Sequence, residues 1–270
     1  MTHREVLGVR IDDLSDDELI GQLRDWMAGD RARIVVTPNP EFVLAARRDS
    51  VFAERLLRSD LSLPDGVGLR FAAAALTNER PPMRHTGVDT LYTLARLCVE
   101  SGKRIALFGG GTPSSGETAA KALREVFPGL DVIAIHPGNI SMQDHEDPPK
   151  GTDLLGSHHP TVVAVALGQG KQEWFMEKAA DHLPTARIFI GVGGALETVG
   201  GTIPRAPKIM RQLGFEWTWR LVRQPSRIGR IFNAVIVFPA VIVWATLKRR
   251  RFLKGVRNVL REIGAQLNGL

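Results

Sequence analysis

Pro64-Asp65-Gly66 places a carboxylate on a tight turn. Where such a turn closes a strand, the aspartate has the fixed position and limited solvent that a general base needs to take a proton from a hydroxyl. A turn residue without chemistry is the competing reading. Thr37-Pro38-Asn39-Pro40 adds a hydroxyl and an amide suited to holding sugar hydroxyls or to orienting that carboxylate. Asn39 followed by Pro40 also fits a helix N-cap with proline in the first turn.

Two glycine-rich stretches have the composition of anion sites. Gly109-Gly110-Gly111-Thr112-Pro113 would let backbone N–H groups approach phosphate oxygens at a helix start, where the helix dipole also favours anions. Gly168 and Gly170, followed by Lys171 and Gln172, repeat the arrangement. A plain strand-to-helix turn competes with both. Ser114 takes the third glycine position of the dinucleotide fingerprint, and no G-x-x-x-x-G-K-[ST] run occurs. Neither Asp-x-Asp nor a credible histidine cluster is present, so no metal site and no cofactor are expected and arginines would meet a diphosphate. Arg220, Arg223, Arg227 and Arg230 recur at spacings of three and four, which lines one face of a helix after Trp217 and Trp219. Guanidinium groups bind phosphate bidentately and stay charged at any working pH. A solvated basic face is the alternative.

These residues need elements to hold them. Short β-branched runs at Ile34–Val36, Leu61–Leu63, Ile105–Phe108, Val132–Ile135, Val162–Leu167 and Ile188–Val192 alternate with amphipathic helical patterns. That is the signature of an α/β fold, Rossmann-like, with a mainly parallel sheet covered by helices. Such sheets bind ligands at the carboxyl ends of their strands, where the motifs above all fall. Ser15 with Glu18 predicts a capping box for a helix through Met27, and Thr112-Pro113 predicts the N-cap and first residue of another.

At 270 residues, with 44% hydrophobic and 24% charged side chains, the chain can bury a sizeable core without staples. The single cysteine, Cys98, forbids an intrachain disulfide and sits in an apolar helical pattern, as a core residue would; a reducing, intracellular home follows. Net charge is +6 but uneven: residues 1–200 hold 21 Lys and Arg against 27 Asp and Glu, whereas residues 201–270 hold 14 against 2. The expected division is therefore a catalytic domain over 1–200 and a C-terminal appendage over 201–270, with arginine-rich helices at 201–230 and a membrane-associating segment at 231–270. Ile231–Leu247 carries no charge and is bracketed by Arg230 and by Lys248-Arg249-Arg250-Arg251, which suits an anionic membrane surface better than nucleic acid. Seventeen helical residues reach about 25 Å against roughly 30 Å of hydrocarbon, and Pro239 should break or kink the helix, so a re-entrant or surface-lying segment is preferred to a span. Beyond it Phe252, Leu253, Val256, Val259, Leu260, Ile263 and Leu267 form a second apolar stripe; a helix that packs on the domain or on a second copy of the chain is the alternative.

The motifs TPNPEFVLAARRDSVF, LPDGVGL, RHTGVD, LFGGG, LGQGKQEWF, GVGGALETVGGTIPRAP and GFEWTWRLVRQPSRIGR, in this order from Thr37 to Arg230, resemble the WecG/TagA/CpsF family of bacterial glycosyltransferases. The resemblance implies inverting, metal-independent transfer of N-acetylmannosamine or a related hexose from a UDP-sugar to a polyprenyl-diphosphate-linked sugar. It implies a peripheral place on the cytoplasmic face of the membrane, in surface-polymer assembly. By position, Asp65 is similar to the family's proposed base, with Thr37 and Asn39 at the sugar. Gln172 matches the glutamine of its Lys-Gln-Glu motif, and Arg220, Arg227 and Arg230 match arginines assigned to the diphosphates. Arg84, Gly109, Gly110, Gly111, Gly168, Lys171 and Glu197 fall with the substrate and nucleotide. Gly170 replaces a usual proline, Glu197 a common aspartate and Gln224 a glutamate, while Asn139 stands where an aromatic is usual. The noncatalytic alternative is a membrane-surface protein that binds a nucleotide or lipid diphosphate.

Overall fold

The computed structural model describes residues 2–77, 82–143, 147–204, 206, 207, 210, 216–223 and 228–268. It begins with a hairpin that the strand pattern above does not include, β1 (Thr2–Val6) and β2 (Val9–Asp13), paired Val6 to Val9. Leu7 and Gly8 both have positive φ, 52° and 91°, the two-residue turn that matches strand twist. Val6, Val9 and Ile11 are buried, and Arg4 pairs with Asp13 at 2.9 Å.

The six expected strands are present to within a residue or so at each end: β3 (Arg33–Val36), β4 (Leu61–Ser62), β5 (Ile105–Gly109), β6 (Val132–Ile135), β7 (Val162–Ala166) and β8 (Ile188–Gly191). All pair in parallel, in the order β4-β3-β8-β7-β5-β6. Their side chains alternate between two cores, Val36, Phe108, Val165 and Phe189 to one face and Val35, Leu107, Ala164 and Ile190 to the other. α2 (Pro40–Ala46), α3 (Ser50–Arg58), α4 (Val67–Leu76), α7 (Thr152–Ser157) and α8 (Lys171–Ala179) join the first core. The second is covered by α1 (Asp16–Ala28), α5 (Gly87–Ser101), α6 (Ser115–Val126) and α9 (Ala195–Val199). Adjacent β3 and β8 thus feed helices on opposite faces, as do β7 and β5. Chains that part in this way leave crevices at the carboxyl edge of the sheet. The fold is Rossmann-like α/β.

Ser15 and Glu18 form the capping box expected for α1. α6 is a correction: it starts at Ser115, not at Pro113. The Ser115 hydroxyl accepts from Thr112 N–H at 3.1 Å and Ser115 N–H bonds back to Thr112 O, so Thr112-Pro113 forms a turn ahead of the helix. Cys98 is buried in α5, and burial pushes its thiol up to about 12, as befits a core residue.

α10 (Glu216–Arg223) is tied back by Trp219 Nε1 to Pro204 O at 2.8 Å. α11 (Ile228–Lys248) runs unbroken through Pro239, contrary to the expected break. A π turn at Asn233–Val237 just before the proline, with Phe238 N–H bonded to Asn233 O, absorbs the missing hydrogen bond. Of the described helices, α11 is the one long and apolar enough to cross a membrane, yet Phe238, Ile242, Ala245 and Thr246 are buried along one side, where the helix packs on α4. α12 (Phe252–Asn268) packs on α4 through its small and polar side: Gly255 lies over Ala75 O, Asn258 donates to Ala74 O and Thr77 O, and Glu262 pairs with Arg70 at 2.7 Å. Leu253, Val256, Leu260 and Ile263 of its apolar stripe are exposed, as are Phe232, Ile236, Trp244 and Leu247 of α11.

Candidate active site

Backbone and side-chain hydrogen bonds join four loops at the carboxyl edge. Asp65, three residues beyond β4, donates its N–H to Pro38 O at 2.8 Å, which sets the half-buried carboxylate-bearing turn beside Thr37 and Asn39. Gly66 follows at φ 95° as the N-cap residue of α4. Buried Thr37 donates its hydroxyl to Gly191 O at 2.7 Å, tying the β3 loop to the end of β8. Gly87, at the start of α5, packs close to Val192 Cα and the Thr37 hydroxyl. Asn39 Oδ1 accepts from Glu41 and Phe42 N–H at 2.9 and 3.2 Å, the helix-cap role its sequence context allows. Among the described residues no acceptor takes its Nδ2 protons.

On the other side of β8, Gln172 reaches across from α8. Its Oε1 accepts from Gly193 N–H at 3.0 Å and its Nε2 donates to Glu173 Oε1 at 2.7 Å. Glu173 Oε2 accepts from Gly170 N–H at 2.6 Å. Half-buried Lys171 donates to Ile140 O at 2.9 Å, which leaves two of its ammonium protons without an acceptor among the described residues. Gly168, at φ 82°, has open space at its Cβ position.

The Gly109–Gly111 loop departs from an open phosphate cradle. Gly110 N–H is bonded to Ala166 O at 3.0 Å, Gly111 N–H to the Glu197 carboxylate, and Thr112 N–H to the Ser115 hydroxyl. The donors are engaged internally, so an anion at Gly111 would have to displace Glu197. Gly109 itself is required by close approach, because a Cβ there would lie 2.9 Å from Ala166 O.

Arg84 lies three residues before Gly87 and within electrostatic reach of Arg70, whose guanidinium is held below its ordinary value first by burial, with Glu262 opposing. Arg230, near the start of α11, grips Glu41 of α2 through Nε and Nη2, the shortest contact being 2.7 Å. That places its guanidinium two residues from Asn39 along the chain it holds. Arg220 lies in α10 with its side chain outside the described part, and Arg227 lies outside the described residues. Arg220 and Arg230 belong to two elements, α10 and α11. Two residues acquire a role that the sequence reading does not single out, Glu41 and Glu173. Both lie inside quoted motifs, TPNPEF and KQEWF.

The six-stranded parallel sheet, covered by helices on both faces and laced together at its carboxyl edge by the Asp65 turn, Thr37 and Gln172, defines a Rossmann-like α/β protein. The chain belongs to the glycosyl transferase WecG/TagA/CpsF family, whose family model matches residues 4–252. It is similar to proteins named N-acetylglucosaminyldiphosphoundecaprenol N-acetyl-beta-D-mannosaminyltransferase in several bacteria. It is 28% identical to that of Staphylococcus aureus strain MRSA252, over 92% of this chain and 94% of the relative. It is 27% identical to that of Bacillus spizizenii strain W23, over 80% and 81%. The Bacillus subtilis strain 168 protein is 30% identical over 74% and 75%.

Proposed function

We propose that this glycosyltransferase moves N-acetylmannosamine or a closely related hexose from a UDP-sugar to a polyprenyl-diphosphate-linked N-acetylglucosamine, with inversion and without a metal ion. The observation that carries the reading is the hydrogen-bonded edge that unites Asp65, Thr37 and Gln172, in a chain whose relatives are named as N-acetylmannosaminyltransferases of N-acetylglucosaminyldiphosphoundecaprenol. Asp65 takes the proton from the acceptor hydroxyl as the oxygen attacks the anomeric carbon, and the bond from that carbon to the UDP oxygen breaks. Thr37 fixes the edge, and the Nδ2 of Asn39 is offered to a sugar oxygen. The donor lies over the loop of Gly168, Lys171 and Gln172, with Arg84 and the Gly109–Gly111 loop, closed by Glu197, at its margin. Arg220, Arg227 and Arg230 supply the positive charge that stabilises the diphosphates. The catalytic domain spans 1–200, and the appendage of 201–270 completes the site and docks it.

Docking is to the cytoplasmic face of an anionic membrane. The exposed apolar side chains of α11 and α12 lie among Lys248, Arg249, Arg250, Arg251, Lys254, Arg257 and Arg261, a pairing that suits lipid. The test is incubation with UDP-sugars and a short-chain lipid-diphosphate acceptor in the presence of EDTA. Release of UDP and a product heavier by one sugar support the reading. No product, or activity that appears only on adding Mg²⁺ or Mn²⁺, counts against it.

A further inference from the structure

Gly193 N–H is a donor, so the Gln172 side chain has to present its oxygen there. Its Nε2 then faces Glu173, which has to accept at one oxygen, while Gly170 N–H donates to the other. Gln172 and Glu173 are 1% and 2% exposed, so water does not substitute for a missing partner. Gly191 completes the fit, since a Cβ there would stand 2.6 Å from Gln172 Nε2. A carboxylate is the one side chain of this length that accepts at both ends.

From this arrangement we infer that Glu173 is a positioning residue for glycosyl transfer: its ionised carboxylate fixes the Gln172 amide, and through Gly193 holds the β8 loop in its donor-binding form. The inference rests on the reading of the Gln172 loop as the donor side. A proton on Glu173 converts one acceptor into a donor and breaks the link either to Gly170 or to Gln172. Burial pushes Glu173 up to about 7, against the bonds from Gln172 and Gly170 and the charge of Arg55, which faces it from α3 and is paired with Glu177 at 2.9 Å. The relay therefore forms and breaks near neutral pH. Glu173→Gln keeps the size but presents one NH₂ group to a donor, so it breaks one link at every pH.

The experiment is calorimetric binding of UDP-N-acetylglucosamine, whose esterified diphosphate has no ionisation near neutrality, to the full-length protein from pH 5.5 to 8.5. Wild type should bind about 10-fold or more weakly at the acid end, the loss expected for one hydrogen bond to a charged group. Glu173→Gln should bind with the weakened affinity throughout and show no such limb, and in transfer assays its loss should fall on donor KM rather than on kcat. pH-independent binding by wild type refutes this inference alone and needs no variant to fold. An unchanged acid limb in Glu173→Gln refutes it as well. Absence of binding at every pH refutes the donor reading and the inference with it.

Discussion

Gly191→Ala is the sharpest structural perturbation of the site. Gly191 has ordinary backbone angles, so the substitution adds no strain of its own; the new Cβ would stand 2.6 Å from Nε2 and 3.0 Å from Cδ of Gln172. The Gln172 amide has to swing away, and it loses the bonds from Gly193 and to Glu173. A neutral hydrogen bond contributes about 1 kcal/mol and one to a charged group about 2, so the loss is about 3 kcal/mol. Denaturant titration measures it, and in a chain of this size Tm should fall by about 6–12 °C. Gly168→Ala is the control: at φ 82° with open space around its Cβ, it costs only the left-handed strain of about 1–2 kcal/mol. Pairing Gly191→Ala with Gln172→Ala isolates the clash, because the alanine at 191 should be nearly neutral once the amide is gone. A cost of Gly191→Ala that is the same in both backgrounds, or one below about 1 kcal/mol, refutes the reasoning.

Glu173 should move stability and donor affinity in opposite directions with pH. Its folded value is raised to about 7, so its contribution to stability is fully present below the ordinary carboxylate range and is lost as pH rises through 7. Denaturation of wild type relative to Glu173→Gln at pH 5 and pH 8 should show that decline, and an equal difference at both pH values contradicts it. The Arg230–Glu41 pair is half exposed on the arginine side, 52% against 17%, so Glu41→Gln should cost less than about 1 kcal/mol. The same change should raise acceptor KM by loosening Arg230, and reversing the pair with Glu41→Arg and Arg230→Glu should not restore transfer; full activity in the reversed protein refutes the diphosphate role. Replacing Trp244, Leu247, Leu253 and Leu260 together by glutamate should abolish sedimentation with anionic vesicles and leave Tm nearly unchanged, because these side chains are exposed. Continued sedimentation would place membrane contact elsewhere.

The central strands were most legible because they are buried on both faces and read as continuous apolar runs, as in Val162–Ala166. The β1–β2 hairpin was not, since Arg4, Arg10, Asp12 and Asp13 hide its alternation. Those charges are tolerated because they find partners, Arg4 with Asp13 and Asp12 with Arg10 and Ser62 N–H. Pro239 predicted a break by local rules, and a π turn upstream absorbed it. In α12 the helical period was legible, but the contact made by its small and polar side was not. Gly255, Asn258 and Glu262 make the contact with α4, and the apolar stripe that periodicity would bury lies mostly outside. That Asp65, Thr37 and Gln172 stand at the carboxyl ends of strands was readable in the sequence. Glu197 on Gly111 joins residues 86 apart, and Glu173 takes its meaning from burial; neither is present in local sequence.

The central claim is that Asp65, set beside Thr37 and Asn39, deprotonates an acceptor hydroxyl for transfer from a UDP-sugar. It is tested most directly by product mass after incubating wild type and Asp65→Asn with UDP-N-acetylmannosamine and a short-chain polyprenyl-diphosphate N-acetylglucosamine. Wild type should yield an acceptor heavier by one N-acetylhexosamine together with free UDP. Asp65→Asn, which keeps the shape and removes the base, should bind UDP comparably and turn over at least about 100-fold more slowly. Turnover by Asp65→Asn at the wild-type rate, or no product from wild type with any UDP-sugar, would contradict the account.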